Sequence, residues 1–263
     1  MEHAVTPKLL DYFHARGKRF GLPIAGTFEL TARCNFNCKM CYVHLTEAEQ
    51  KRRGRELTAQ EWIALGEAAK RAGTVFLLLT GGEPFLRPDF PEIYRALHRM
   101  GFLISINTNG ALLNDELLEL FREETPTRIN VSLYGTTNAT YQTLCGVPAY
   151  DRIVRSIERM RSAGLSVKLN LTLTPDNLAE MPSIIAEARA LGAQLQATPY
   201  LFPPVRRDRA GLGKNFRMSA EDAGLFQARY NLLTMKKAQF CLLAEQMSRG
   251  IAQRAGQPCE GQP

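Results

Sequence analysis

The chain has 263 residues, 45% of them apolar and 22% charged, with a formal net charge of +7. That balance fits a folded globular protein and excludes a disordered one. The longest clear apolar run, VFLLL at 75–79, falls far short of the ~20 residues that cross a bilayer, so no membrane partner is expected. The opening MEHAVTPKLL lacks the basic-then-apolar pattern of a secretory signal, so the protein reads as cytoplasmic. Among its six cysteines three are crowded together, which in that compartment argues for metal rather than disulfides. Lys and Arg are spread along the chain, and their densest stretch, KRRGR at 51–55, sits in a polar connection. A nucleic-acid partner is therefore not expected, whereas a basic face would suit a small acidic electron-transfer protein.

In chain order, residues 1–23 read as a leading helix with Leu9, Leu10 and Phe13 on its apolar side. A unit then recurs: an apolar β-branched run, a turn, an amphipathic helix, and a glycine before the next strand. The strands fall at 26–30, 74–79, 103–107, 128–133, 167–173 and 194–199, and the helices near 58–72, 89–100, 114–123, 150–163 and 180–191. Ile153, Ile157 and Met160 form one helical stripe, and Ile184, Ala188 and Leu191 another. Gly73, Gly101, Gly164 and Gly192 stand where a left-handed helix cap wants a residue without Cβ. Strands alternating with helices predict parallel β-α units, with strands apolar on both faces under covering helices. Six units are too few for a closed eight-stranded barrel, so the expected α/β fold is a partial, open (β/α)6 barrel over 24–203, with a flat doubly wound sheet as runner-up. A polar loop, PPVRRDRAGLGKN, starts at Pro203, and the C-terminal part, 204–263, continues as a helical extension over about 219–253.

Directly after the first strand comes CNFNCKMC, with thiols at Cys34, Cys38 and Cys41. Buried cysteines can serve as small hydrophobes, but Asn35, Asn37 and Lys39 interleave with these, and polar loops do not bury three thiols for packing. Zinc would need a fourth ligand, which His44 could supply, yet zinc loops come as two separated pairs and no second pair is near. An iron–sulfur cubane takes one thiolate per iron, so three cysteines leave one iron open, as a catalytic site requires.

This loop resembles the signature of the radical S-adenosylmethionine (SAM) enzymes, C-x3-C-x2-C after the first barrel strand. The resemblance implies a [4Fe-4S] cluster whose open iron chelates the amino and carboxylate groups of S-adenosylmethionine. One electron then splits the sulfonium into methionine and a 5′-deoxyadenosyl radical that abstracts hydrogen from the substrate. It extends to TGGEP after the second strand, where Gly81, Gly82, Glu83 and Pro84 match a segment that in relatives binds the cofactor's methionine amino group. In NTNG, 107–110, the resemblance places sugar contacts, on Asn109 ahead of Thr108. In SLYG, Ser132 matches a residue that helps hold the cofactor carboxylate, while Tyr134 stands where many relatives have Asp. Arg152 matches an arginine expected at the same carboxylate. Met40 replaces the aromatic residue that relatives place near the adenine, and Tyr42 follows at once.

The same resemblance points to members that modify peptides or proteins and continue into an auxiliary-cluster region of the SPASM or twitch type. Cys241 and Cys259 could belong to the start of such a region, with an auxiliary iron–sulfur cluster in a longer form of the chain. Cys145 and Tyr200 are the candidates for a catalytic side chain near the substrate. The expected substrate is a peptide or protein, the alternative a small metabolite such as a sugar or antibiotic precursor. A reading of another class is a non-catalytic zinc or iron–sulfur module. The electron donor implied is flavodoxin or ferredoxin.

Overall fold

A computed structural model describes residues 9–201 and 218–254. The chain falls into two compact units, 1–217 and 218–263. The first opens with α1 (Leu9–Phe20) and β1 (Ala25–Glu29), then α2 (Glu47–Arg53), α3 (Ala59–Arg71) and β2 (Phe76–Thr80). It continues through α4 (Phe90–Arg99), β3 (Leu103–Thr108), α5 (Asp115–Glu123), β4 (Arg128–Ser132) and α6 (Asn138–Cys145). It ends with α7 (Tyr150–Ser162), β5 (Val167–Thr172), α8 (Met181–Ala190) and β6 (Gln194–Thr198).

All five strand pairings are parallel, and the order across the sheet is the order along the chain, β1 to β6. Crossovers that always advance the same way wind a sheet into a barrel wall, whereas a doubly wound sheet reverses at a switch point. The flat alternative is thereby excluded. Among the described residues six strands leave the barrel partial, with β1 and β6 at its two edges.

The first helical stripe buries as its spacing predicts, Ile153, Ile157 and Met160 having no exposed surface; of the second, Ile184 and Ala188 are buried, while Leu191 lies past the end of α8 and is half-buried. Strand residues Ile106, Val131 and Leu169 are equally enclosed. Phe13 of α1 stacks edge-on against Phe76, with centroids 6.1 Å apart. The side chains of Leu9 and Leu10 lie outside the described residues.

The expectation of strands apolar on both faces holds for β2, FLLLT, but not for β3 to β5. In β3 and β5 burial alternates residue by residue, so one face is enclosed by helices and the other is not. The second face carries Ser105 and Asn107 on β3, Arg128 and Asn130 on β4, and Lys168 and Asn170 on β5. An eight-stranded barrel packs its interior shut; six strands leave theirs open, and polar side chains can be solvated there.

Two helices stand where none was expected. Around KRRGR, residues 47–53 form α2 because Thr46 and Glu49 make a reciprocal capping box, with a Glu47–Lys51 ion pair one turn apart. Residues 138–145 form α6, started by the Thr137 side chain and stopped by Gly146, whose φ of 77° is left-handed. In the second unit the expected single stretch is two helices, α9 (Ala220–Thr234) and α10 (Lys237–Arg254), broken by the extended backbone at Met235. Cys241 on α10 is exposed. The polar loop expected from 204, the boundary at 203 and Cys259 lie outside the described residues. Among the described residues no helix is long and apolar enough to cross a membrane.

Ile106, at 0% exposure in the middle of β3, tests the wall directly. Ile106→Ala should lower the free energy of unfolding by about 2–5 kcal/mol in urea denaturation; a loss below about 1 kcal/mol would show that this face is not closed by helices.

Candidate active site

The loop after β1 is held by contacts that leave no room for side chains. Beyond the ladder, Gly82 N–H donates to the Thr31 carbonyl at 2.7 Å and Glu83 N–H to the Arg33 carbonyl at 2.9 Å. A Cβ on Gly82 would lie 2.2 Å from the Arg33 oxygen, and one on Gly81 2.3 Å from the Thr31 oxygen. Only glycine permits this approach. On its far side the loop donates from Asn37 N–H to the Cys145 carbonyl at 3.0 Å and from Lys39 N–H to the Leu144 carbonyl at 2.8 Å. Those carbonyls belong to the last turn of α6, which cannot satisfy them internally. From beneath, the buried Arg87 guanidinium donates to the Leu30 and Leu57 carbonyls and forks onto Asp89.

The three thiols are half-buried and face one cavity of about 490 Å³. Amides point at the sulfurs: Phe36 N–H and the Asn109 amide at Cys34 Sγ, 3.4 and 3.7 Å, and His44 N–H at Cys41 Sγ, 3.2 Å. Such donors suit sulfur that carries negative charge, as metal-bound thiolate does. Burial pushes the Cys34 thiol up to about 12, and the charges of Glu83, Cys38 and Cys41 add to the rise. A cation bound at the site would reverse that and deprotonate the thiol. His44 is buried outside the cavity lining. Among the described residues no three His, Cys, Asp or Glu side chains gather as ligands of one ion, as a zinc site would require. Three thiols opening onto one cavity fit a cubane cluster, which takes one thiolate per iron.

Of the other expected site residues, Met40, Tyr42, Gly81 and Gly82 line this cavity, as do Asn109, Ser132 and the exposed Tyr200 at its edge. Asn109 also braces the cysteine loop, donating to Asn35 Oδ1 at 2.8 Å while accepting from Ala111 N–H at 2.9 Å. Four expected site residues, Glu83, Pro84, Arg152 and Cys145, do not line the cavity. Glu83 and Pro84 are buried behind the wall: the Glu83 carboxylate accepts from Thr108 Oγ1 at 2.8 Å, Asn109 N–H at 2.7 Å and Phe85 N–H at 3.1 Å. It therefore ties the tip of β2 to the tip of β3 and does not line the cavity. Arg152 is exposed on α7 and does not line the cavity, because its helix packs on the opposite face of the sheet. Cys145 is fully enclosed and contributes its backbone carbonyl, not its thiol.

Sequence reasoning missed the cavity's polar wall. Asn107, Arg128, Asn130, Lys168, Asn170 and Gln196 all line it. Their signal was present as strict alternation with apolar residues in LISINT, RINVS and VKLNLT. Tyr134 joins them, its hydroxyl held well above the usual tyrosine range by burial and by the neighbouring Cys38.

Residues 28–188 match the Radical SAM superfamily. The chain belongs to that superfamily. It is 34% identical over 182 residues to an AdoMet-dependent heme synthase of Methanosarcina barkeri, covering 69% of this chain and 51% of that protein. It is 34% identical over 199 residues to a probable GTP 3',8-cyclase of Saccharolobus islandicus, covering 74% of this chain and 61% of that one. The chain thus spans roughly half to three fifths of the curated relatives it matches. Among solved structures, Streptococcus suis SuiB bound to precursor peptide SuiA aligns with a TM-score of 0.65 at 16% identity, over 93% of this chain and 50% of that one. Native anSMEcpe with bound AdoMet and a peptide gives a TM-score of 0.65 at 13% identity, over 78% and 58%. At such identities these two establish the fold alone.

Burial raises the Glu83 carboxyl from 4.5 to about 7, against three donated hydrogen bonds that favour its ionised form. The folded metal-free chain therefore holds a proton between those values that the unfolded chain releases. Its free energy of unfolding, taken relative to Glu83→Gln, should fall as pH rises from about 4.5 to about 7, by on the order of 3 kcal/mol, and level off above. A pH-independent difference would show that Glu83 ionises normally.

Proposed function

We propose that the chain is the catalytic part of a radical SAM enzyme acting on a small metabolite. The observation that carries the reading is the convergence of Cys34, Cys38 and Cys41 with Gly81 and Gly82 on one cavity. When bound there, a [4Fe-4S] cluster supplies the electron that splits S-adenosylmethionine into methionine and a 5′-deoxyadenosyl radical.

The chain's own residues bind, orient and shield. Backbone groups of Gly81 and Gly82 border the place of the cofactor's amino group, with Glu83 holding that edge rigid from behind. Ser132 and Asn109 face the carboxylate and the ribose. Met40 and Tyr42 offer polarisable and aromatic surface for the adenine. Tyr134 closes the wall with a hydroxyl that stays protonated. Arg152 has no part in this arrangement.

The expectation of a peptide substrate gives way on identity. The 34% relatives are named for a heme synthase and a GTP cyclase, both small-molecule activities, whereas the peptide-bound structures match at 13–16%. The electron donor is an acidic protein approaching the exposed basic end of α2, Lys51 to Arg53, which follows the cysteine loop in sequence.

Anaerobically reconstituted protein should show cluster absorption and, with dithionite, release 5′-deoxyadenosine from S-adenosylmethionine. Alanine at Cys34, Cys38 and Cys41 together should remove both; retained absorption in that variant would refute the ligand set. With a flavodoxin as donor, cluster reduction should slow several-fold between about 0.05 and 0.5 M salt, as screening predicts. A salt-independent rate would remove α2 from the docking surface.

A further inference from the structure

We propose that Arg128 and Lys168 form an oxyanion subsite at the floor of the barrel, which binds a carboxylate or phosphate group of the substrate. The inference rests on the reading of the cavity as the reaction chamber.

Position separates this subsite from the cofactor. The cysteines follow the carboxyl end of β1, and Ser132 ends β4, so both belong to the rim. Arg128 begins β4, four residues earlier, about 13 Å deeper at the usual rise of a strand. Lys168 pairs with Asn130 across β4 and β5, one pleat above Arg128, and its ammonium donates to Gln196 Oε1. All four residues line the same cavity.

Charge makes the floor a site. Among the described residues the cavity lining contains no Asp or Glu. Among the described residues neither cation forms an ion pair, in contrast with Arg87 on Asp89 and Arg33 on Glu56. Two like charges in a recess destabilise each other, and burial together with the Arg128 charge lowers the Lys168 pKa. An entering oxyanion relieves that repulsion and recovers charge-assisted hydrogen bonds.

The hydrogen-bond inventory agrees. Arg128 Nε and Asn130 Oδ1 are buried without a partner. Buried polar atoms of folded proteins are nearly always satisfied, and an exception calls for a missing ligand or solvent. The guanidinium presents a fork suited to two oxygens of one oxyanion. Asn130 Oδ1, fixed because its amide nitrogen donates to Asn107 Oδ1 at 2.8 Å, would accept from a hydroxyl or N–H next to that oxyanion. The preferred substrate is thus an acid or phosphate ester bearing a neighbouring donor, with its reactive hydrogen toward the rim.

Isothermal titration calorimetry of the reconstituted protein with pyrophosphate, and separately with succinate, tests the subsite. One-to-one binding of either probe is expected, weakened at least tenfold in Arg128→Gln and in Lys168→Gln and largely kept in Lys168→Arg. Preference for pyrophosphate marks a phosphorylated substrate, and preference for succinate a carboxylated one. If neither probe binds, or if both Gln variants bind as the wild type does, the proposal is overturned. Should the variants fail to fold, acetylation of wild-type Lys168, read by mass spectrometry, must be suppressed by a bound probe; unsuppressed acetylation overturns the proposal as well. Release of 5′-deoxyadenosine by wild-type protein without either probe reports the radical reading alone, so the two can fail separately.

Discussion

The contact on which the site depends is the close passage of two backbones at Gly82. There the strand tip bearing the glycines lies against the start of the cysteine loop, with hydrogen bonds of 2.7 and 2.9 Å and no space for a methyl group. The loop has little regular structure of its own, and its geometry is imposed from outside by this seam, by the last carbonyls of α6 and by Arg87. Three thiols presented to one cavity require a stiff loop, because a cluster tolerates little misplacement of its ligands. The stiffness comes from backbone groups, which have no rotamers to lose.

A second layer of support lies behind the visible site. Glu83 lies outside the cavity lining and gathers three donors from around two strand tips, so the carboxylate braces the rim. Asn109 links that rim to Asn35 and Cys34. Glu180 does the same further round, accepting from Thr136 and Thr140 ahead of and within α6, and thereby steadies the helix that anchors the cysteine loop. A buried acid with convergent donors is costly to disturb.

The barrel divides its strands' labour by face. One face carries Ile106, Val131 and Leu169 into the helix layer, where burial of apolar surface holds the wall together. The other carries amides, hydroxyls and two cations into a cavity that six strands cannot close. Rim and floor differ in chemistry: sulfur and glycine above, amide and positive charge below. A cofactor that generates a radical at the rim and a substrate anchored by charge at the floor would meet between them, which is the positioning such chemistry demands.

Much of this was legible in the residues themselves. The order of β-α units, the helical stripes on α7 and α8 and the three thiols followed from spacing, because periodicity and short loops are local properties of a chain. The capping box at Thr46 and the alternation in RINVS and VKLNLT were equally local, but a dense basic run masked the first and apolar neighbours the second. What the sequence could not decide was direction. Whether Glu83 faces a ligand or the wall, whether Arg152 reaches the cavity, and which cations remain without an acid all depend on which face of the closed wall each residue occupies. That is set by packing between elements far apart in the chain, since a strand's two faces are chemically assigned only when helices cover one of them.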